Sequence, residues 1–340
     1  MYMSYSDYKD FLRKNQFTWL ITGVAGFIGS NLLYELLSLN QKVIGIDNFS
    51  TGFKSNLKKI IDSVDKKFSR NFIFEEIDII DYDSLKKIFS NDITYVLHQA
   101  AMGSVPKSIK LPQDFNNVNV NGFLNLLCLC RSSKVEKIIF ASSSSVYGDN
   151  IENYKKEHKI GNCLSPYALT KRINELYADN FSRVYNIKYI GLRYFNVFGR
   201  SQNPKGSYAA VIPKWIINSI KNEDIVIYGD GKTSRDFTYI DNVCQANIKA
   251  ALNNLIEFDN RIYNVGEGNN ISLNELSKMI LDISKSIGIK SKSKIIYSDF
   301  REGDIKYSRA SITKIKEAFD YKPNNNFKNN LIETFKDYIN

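Results

Sequence analysis

The chain has 340 residues, 43% of them hydrophobic, 24% charged and 13% aromatic, which is enough apolar material for roughly two domains of about 100–200 residues each. That composition excludes a disordered tail and a fibrous repeat. The formal net charge of +10 comes from lysines spread along amphipathic stretches such as 54–67, so we read solvated faces, expect no nucleic-acid partner, and note that the field favours an anionic substrate.

The first fifteen residues alternate polar and charged groups and lack the apolar stretch of a secretory signal. No apolar run reaches the ~18–20 residues of a membrane span. The densest, around Phe123 to Cys130, is short and broken by Asn125. We therefore expect no membrane segment and a cytoplasmic location.

From there beta-rich runs alternate with helical patterns. They read FTWLIT, a helix over 27–39, KVIGID, a helix over 55–68, FIFEEID, a helix over 82–90, TYVLHQA, a helix over 115–131, KIIFASSSS, a helix over 165–184, and KYIGLRYF. Strands that take turns with helices, several of them continuously apolar, predict an α/β fold: a Rossmann doubly wound parallel sheet covered on both faces. After about residue 196 the alternation loosens, and loop signals gather at 201–206, 229–231 and 266–270. We expect a Rossmann domain over 1–196 and a smaller C-terminal α/β lobe over 197–340. A segment near 233–256 should return to the first domain as a strand and a covering helix.

Cys128, Cys130, Cys163 and Cys244 lie in dissimilar surroundings, and the two histidines, His98 and His158, have no ligand spacing. No metal site and no disulfide framework are expected; the cysteines read as small apolar fillers in a reducing compartment.

The first strand runs into Gly23, Gly26 and Gly29, a G-x-x-G-x-x-G turn, and then into a helix. Glycines allow the tight turn and let backbone N–H groups approach a pyrophosphate at the helix N-terminus. The second strand ends in Asp47, 18 residues beyond Gly29, near the ~20 expected of an acidic residue that binds adenosine ribose. A carboxylate there accepts from both ribose hydroxyls and repels a 2′-phosphate, which favours NAD over NADP. A solvated turn aspartate is the plain alternative. Asp78, read as the end of the third strand at the same sheet edge, would reach the adenine or serve as a simple cap.

Tyr167 and Lys171 are spaced Y-x-x-x-K, which puts both on one helix face. The same spacing recurs at Tyr5/Lys9, Tyr82/Lys86 and Tyr228/Lys232, but only the 167/171 pair follows both a Ser-Pro helix start and a strand-end serine cluster. A free tyrosine, with a pKa of ~10, is a poor base at neutral pH. A neighbouring ammonium and a cationic nicotinamide would lower that value and make Tyr167 an acid/base for a sugar hydroxyl. The cluster Ser142 to Ser145 stands at the carboxyl edge of the sheet, where one serine should bind the reacting oxygen; a simple turn is its other reading.

With TGVAGFIGSN, DNFSTG, LHQAA, SSSSVYGD, SPYALTKRINELYA, LRYFNVFG, AAVIPKW, TSRDFTYIDN and REGD, nearly the whole chain resembles the extended short-chain dehydrogenase/reductase superfamily, specifically its NAD-dependent nucleotide-sugar epimerases. GSVPKSIKLP and the RYFNVFGR, AAVIPKW and SRDF series resemble the bacterial UDP-N-acetylglucosamine 4-epimerases that supply surface-polysaccharide precursors. The resemblance implies an isomerase with tightly bound NAD that is regenerated in each cycle. In that mechanism Tyr167 removes the O4 proton, C4 gives up a hydride, the 4-keto sugar turns over, and hydride returns to its other face.

By the same resemblance Lys171 binds the nicotinamide ribose and Ser143 bonds O4, while Phe27, Ile28, Asn48, Ile79, Gln99, Ala100 and Tyr194 complete the cofactor site. Asn196, Arg235, Arg301 and Asp304 would surround the diphosphate and uridine ribose. Ala210, Val211 and Trp215 would lie near the uracil or sugar, with Ser104 and Tyr228 also on the substrate. Gly103, Ser144, Ala210 and Ser308 match positions whose small size leaves room for an N-acetyl group at C2. The helices near 112–131 and 165–184 would pair with their copies as a four-helix bundle in a homodimer; apolar Leu124, Leu127 and Ala168 agree with buried faces there, and helices that cover the sheet need such residues too.

Dehydratases and decarboxylases of this scaffold carry an acidic residue where Ser144 and Ser145 stand. A non-catalytic NAD-binding sensor would need none of Ser143, Tyr167 and Lys171. The choice among UDP-GlcNAc, its uronic acid form and UDP-glucose stays open, because no certain cationic partner for a uronate is visible.

Overall fold

The computed structural model describes residues 3–205, 210–253, 261–300 and 307–339. Seven strands form one parallel sheet in the order Ile262–Val265, Tyr189–Tyr194, Lys137–Ser143, Tyr95–His98, Thr18–Thr22, Lys42–Asp47, Phe72–Glu76. The central strands are buried almost without interruption, Trp19 to Thr22 and Val43 to Asp47 among them, because helices cover both faces. Chain order reverses between Thr18–Thr22 and Tyr95–His98, and the crevice at such a switch point is where open α/β sheets bind ligands.

The helix Pro166–Tyr185 begins as its sequence asks. The Ser165 side chain accepts from the Ala168 N–H at 3.1 Å, Pro166 needs no N–H at the first position, and Asn186 closes the helix in the left-handed region at φ 57°.

Several expectations change in detail. The helix expected over 55–68 is two, Lys54–Ser63 and Lys66–Ser69, split where the Asp65 side chain caps the Lys67 N–H at 2.9 Å. The third strand stops at Glu76, so Asp78 lies two residues beyond it. The segment near 233–256 makes not one strand but two of two residues each. Ser234–Arg235 pairs with Ile271–Ser272 and Tyr307–Ala310, and Thr238–Tyr239 pairs with Val197–Phe198. The helix that follows, Ile240–Leu252, packs on Phe27–Ser38 and on the strands Lys137–Ser143 and Tyr189–Tyr194.

Among the elements not foreseen are the edge strand Ile262–Val265 and an amphipathic helix Tyr5–Lys14. The latter is held by a Ser4 capping box and by the Tyr5 hydroxyl, which donates to Glu35 at 2.9 Å. Among the described residues no helix is long and apolar enough to cross a membrane, and no group of three or more His, Cys, Asp or Glu is placed to hold a metal. The four cysteines are free thiols.

Candidate active site

At the switch point a cavity of about 690 Å³ opens over the carboxyl ends of the strands. Gly23, Gly26, Phe27, Ile28 and Gly29 form one wall. Gly23 sits at φ +69°, and a Cβ there would stand 2.7 Å from the Ala100 backbone nitrogen; one on Gly29 would stand 2.1 Å from the Gly23 carbonyl oxygen. Only bare backbone fits this turn. Gly26 occupies the N-cap without a side-chain cap, so the first N–H groups of Phe27–Ser38 are free to meet an anion.

A second, smaller cavity shares Gly23, Gly26 and Gln99 with the first and brings together Asp47, Asn48, Asp78, Ile79 and Ala100. The Asp47 carboxylate accepts from the N–H groups of Ala25 at 2.9 Å and Phe49 at 2.8 Å, and each oxygen keeps a lone pair for a hydroxyl donor. Burial pushes its pKa up, against those backbone bonds. Asn48 donates to Asp78 at 2.6 Å, which couples these two positions directly. This continuous trough, with bare amides at one end and a carboxylate at the other, fits a dinucleotide.

On the opposite wall, Ser143 ends the strand Lys137–Ser143, while Tyr167 and Lys171 project from Pro166–Tyr185. Tyr167 and Ser143 line the same cavity, and the Ser143 hydroxyl donates to Ser145 Oγ at 3.0 Å and accepts from the Ser145 N–H at 3.1 Å. The Tyr167 ring stands edge-on to the buried Phe115 ring, with centroids 6.3 Å apart. The Lys171 Nζ is buried and donates to the Ala141 carbonyl at 2.8 Å.

Burial raises the Tyr167 pKa and the Ser143 hydroxyl opposes the rise, whereas burial lowers that of Lys171 to about 8. Lys171 is not among the groups that shift Tyr167, because its ammonium is engaged by the Ala141 carbonyl.

Tyr194, Gln99 and Asn247 interlock on the cavity floor. The Tyr194 hydroxyl donates to Gln99 Oε1 at 3.2 Å and accepts from Asn247 Nδ2 at 2.9 Å. Ser104, Ser144, Asn196 and Ala210 also line the cavity, as does Gly103, where a Cβ would meet nothing within 4 Å. Ser104 holds φ +89° and caps the Lys107 N–H at 3.2 Å, a left-handed non-glycine residue directly at the cavity wall.

Val211, Trp215, Tyr228, Arg235 and Ser308 do not line the described cavity. Trp215 packs in the apolar core, and Arg235 and Ser308 are register partners in the small sheet. Arg301 and Asp304 lie outside the described residues.

Asn119 was not foreseen from the sequence. It sits in a π-helical turn, Asn117–Asn121, accepts from the Met102 N–H at 2.8 Å and donates to Thr170 at 3.1 Å, which ties the loop before Gly103 to the tyrosine helix. It lies among Asn116, Asn117 and Asn121, so nothing in the sequence singles it out. Asn247 gave no signal either, because its partners come from distant strands.

Residues 19–266 match the model of a family described as the NAD dependent epimerase/dehydratase family. The chain belongs to that family. Its cofactor is NAD, and its relatives include nucleotide-sugar 4-epimerases. A UDP-glucuronate 4-epimerase of Thermodesulfobacterium geofontis is 36% identical over 318 residues, which is 93% of this chain and 94% of that protein. The structure of a UDP-N-acetylglucosamine 4-epimerase from Methanobrevibacter ruminantium M1 in complex with UDP-N-acetylmuramic acid superposes with a TM-score of 0.86 at 37% identity, over 96% of this chain and 99% of that one. A UDP-glucose 4-epimerase from Thermus thermophilus, in complex with NAD, gives 0.81 at 30% identity, over 95% and 99%.

Proposed function

We propose that the protein is a UDP-N-acetylglucosamine 4-epimerase that interconverts UDP-GlcNAc and UDP-GalNAc without an external oxidant. The observation that carries this reading is that Ser143, Tyr167 and Lys171, the last two one helical turn apart, line one cavity at the end of a trough shaped for a dinucleotide.

Bound NAD supplies the reversible hydride acceptor that a self-contained change at C4 requires. The glycine turn from Gly23 to Gly29 would hold its pyrophosphate, Asp47 the adenosine ribose, and Asn48 with Asp78 the adenine side. Ser143 holds the sugar O4. Tyr167 takes the O4 proton as the C4 carbonyl forms and returns it when the alcohol is rebuilt. Lys171 orients the nicotinamide ribose, and the positive charge brought near Tyr167 then offsets the burial that keeps the phenol protonated. The first 196 residues would carry the cofactor, and the lobe over 197–340 the UDP-sugar, with Arg235 on its diphosphate.

Open space at Gly103 supports the N-acetyl form, since a group at C2 needs room that a side chain would take. A uronic acid substrate is the second reading, and Lys107 and Lys205 favour it. Both line the cavity, no ion pair engages either among the described residues, and no Asp or Glu shares the lining. Incubation with UDP-GlcNAc and separately with UDP-GlcNAcA, followed by proton NMR, tests both readings. If Lys107 and Lys205 read a carboxylate, Lys205→Ala raises KM for the uronic form alone; equal rises for both sugars assign the lysines to the shared diphosphate.

We also propose a homodimer. Leu169 and Leu176, seven residues apart on Pro166–Tyr185, are 51% and 52% exposed, an apolar stripe suited to a copy of the same helix.

A further inference from the structure

The helix that carries Tyr167 and Lys171 carries a third residue at the same spacing. Tyr167, Lys171 and Glu175 recur every four residues and so share one face. The last three residues of the strand Lys137–Ser143 stand against that face. Tyr167 lines the cavity beside Ser143, Lys171 donates to the Ala141 carbonyl at 2.8 Å, and Glu175 Oε1 accepts from the Ser142 hydroxyl at 2.6 Å.

Glu175 is in turn locked from the neighbouring strand. Arg193 is the register partner of Ser142, and its guanidinium grips the carboxylate through both oxygens, Nε to Oε1 at 2.8 Å and Nη2 to Oε2 at 2.8 Å. The pair is 0% and 1% exposed, and Arg172 adds a third cationic contact at 2.9 Å. Arg193 is itself fixed. It donates to the Glu157 carbonyl at 3.0 Å and lies over the Tyr147 ring at 4.9 Å.

We infer that Ser142, Glu175 and Arg193 form a positioning clamp that sets the axial place of the tyrosine helix against the serine strand, and thereby the meeting of Tyr167 with Ser143. The inference rests on the catalytic reading of Tyr167. None of the three need touch the sugar. The physical argument is one of specificity over stability: a buried ion pair contributes little net stability against its desolvation, yet its bidentate geometry tolerates no axial slip. A slip of about 1 Å at a reacting pair costs on the order of 10²-fold in rate.

The test uses NAD-loaded, full-length protein and three variants. Glu175→Gln puts an amide donor against the guanidiniums, and Ser142→Ala removes only the 2.6 Å bond. Both should lower kcat, by about 10²-fold and about tenfold respectively. KM and NAD content should stay within twofold. A kcat within twofold of the parent in both variants overturns the clamp.

The double variant Glu175→Leu with Arg193→Met guards against a mere folding defect, because an apolar pair restores stability where an ion pair was removed. Its Tm should approach that of the parent while kcat stays low; joint recovery of Tm and kcat would show the pair to be structural only. A crystal structure of Glu175→Gln reads placement whatever sugar the protein turns over. A Tyr167 hydroxyl shifted relative to Ser143 from its place in the parent supports the clamp, and an unchanged Tyr167–Ser143 distance contradicts it. Failure of the parent protein to epimerise any UDP-sugar falls on the catalytic reading alone.

Discussion

Tyr167 and Lys171 carry opposite consequences of the same burial. Removing the phenol oxygen should remove the proton transfer and little else, so Tyr167→Phe is expected to keep its NAD and its fold while kcat falls by roughly 10³; a variant with parent-like turnover in the NMR assay would strip Tyr167 of its role. For Lys171 the sign runs through stability. Its pKa is lowered from 10.5 to about 8 in the folded protein, so between those values the unfolded chain holds a proton that the native state has shed. Stability therefore rises with pH across that window, and below about 8 the buried charge exerts its full cost, on the order of 3 kcal/mol. In NAD-free protein Lys171→Met should be the more stable at pH 7, with the gap closing towards pH 10. Urea denaturation at the two pH values measures it, and a gap independent of pH contradicts the account. The sequence displayed both residues by spacing. It could not display Ala141 as the acceptor of the ammonium, because that bond depends on how far the helix slides along the sheet.

Among the elements, the glycine turn and the strands beside it were legible because local chemistry decides them. Gly29→Ala would drive a Cβ to 2.1 Å from the Gly23 carbonyl oxygen, and the backbone must move. We expect a loss of about 1–3 kcal/mol in stability together with most of the bound NAD, read as a lower Tm and a lower cofactor absorbance per protein; full NAD content would contradict the tight-turn argument. KVIGID was read correctly as a strand because both its faces are buried, and SPYALTK as a helix start because serine and proline are cap residues in their own right. The strand Ile262–Val265 has only four residues, and Ser234–Arg235 exists through its partners at Ile271–Ser272 and Tyr307–Ala310. Such elements are specified by tertiary pairing, and a single sequence carries no period long enough to reveal them. Glu175 belongs to the same class. It is visible four residues after Lys171, but its partner Arg193 arrives from another strand.

Across the whole molecule, two buried carboxylates join the end of the edge strand Ile262–Val265 to the small four-stranded sheet. Asp236 accepts from the N–H groups of Glu267, Gly268 and Ala310 at 2.9, 3.0 and 3.1 Å, and Glu267 accepts from Asn242 at 3.0 Å beside the start of the helix Ile240–Leu252. Burial pushes their pKa values up to about 6 and about 8, so the folded protein prefers them neutral. Their contribution is fully present below the unfolded carboxylate pKa of about 4 and is lost as pH rises through those values. Glu267→Gln keeps the Oε1 acceptor and removes the titration. It should match the parent in Tm near pH 4 and exceed it above pH 8, and a parallel pair of Tm curves would refute the assignment. The exposed leucine stripe makes the corresponding claim about assembly: Leu169→Lys with Leu176→Lys should shift a dimer to monomer in sedimentation velocity, whereas an unchanged sedimentation coefficient moves the interface elsewhere. On the proposed reading the protein, with its own bound NAD, inverts C4 of a UDP-sugar. The most direct test is to incubate the purified protein with UDP-GlcNAc, with no NAD added, and follow the C4 epimer by proton NMR. The account predicts an equilibrium mixture with UDP-GalNAc; NAD-loaded protein that leaves the sugar unchanged would contradict it.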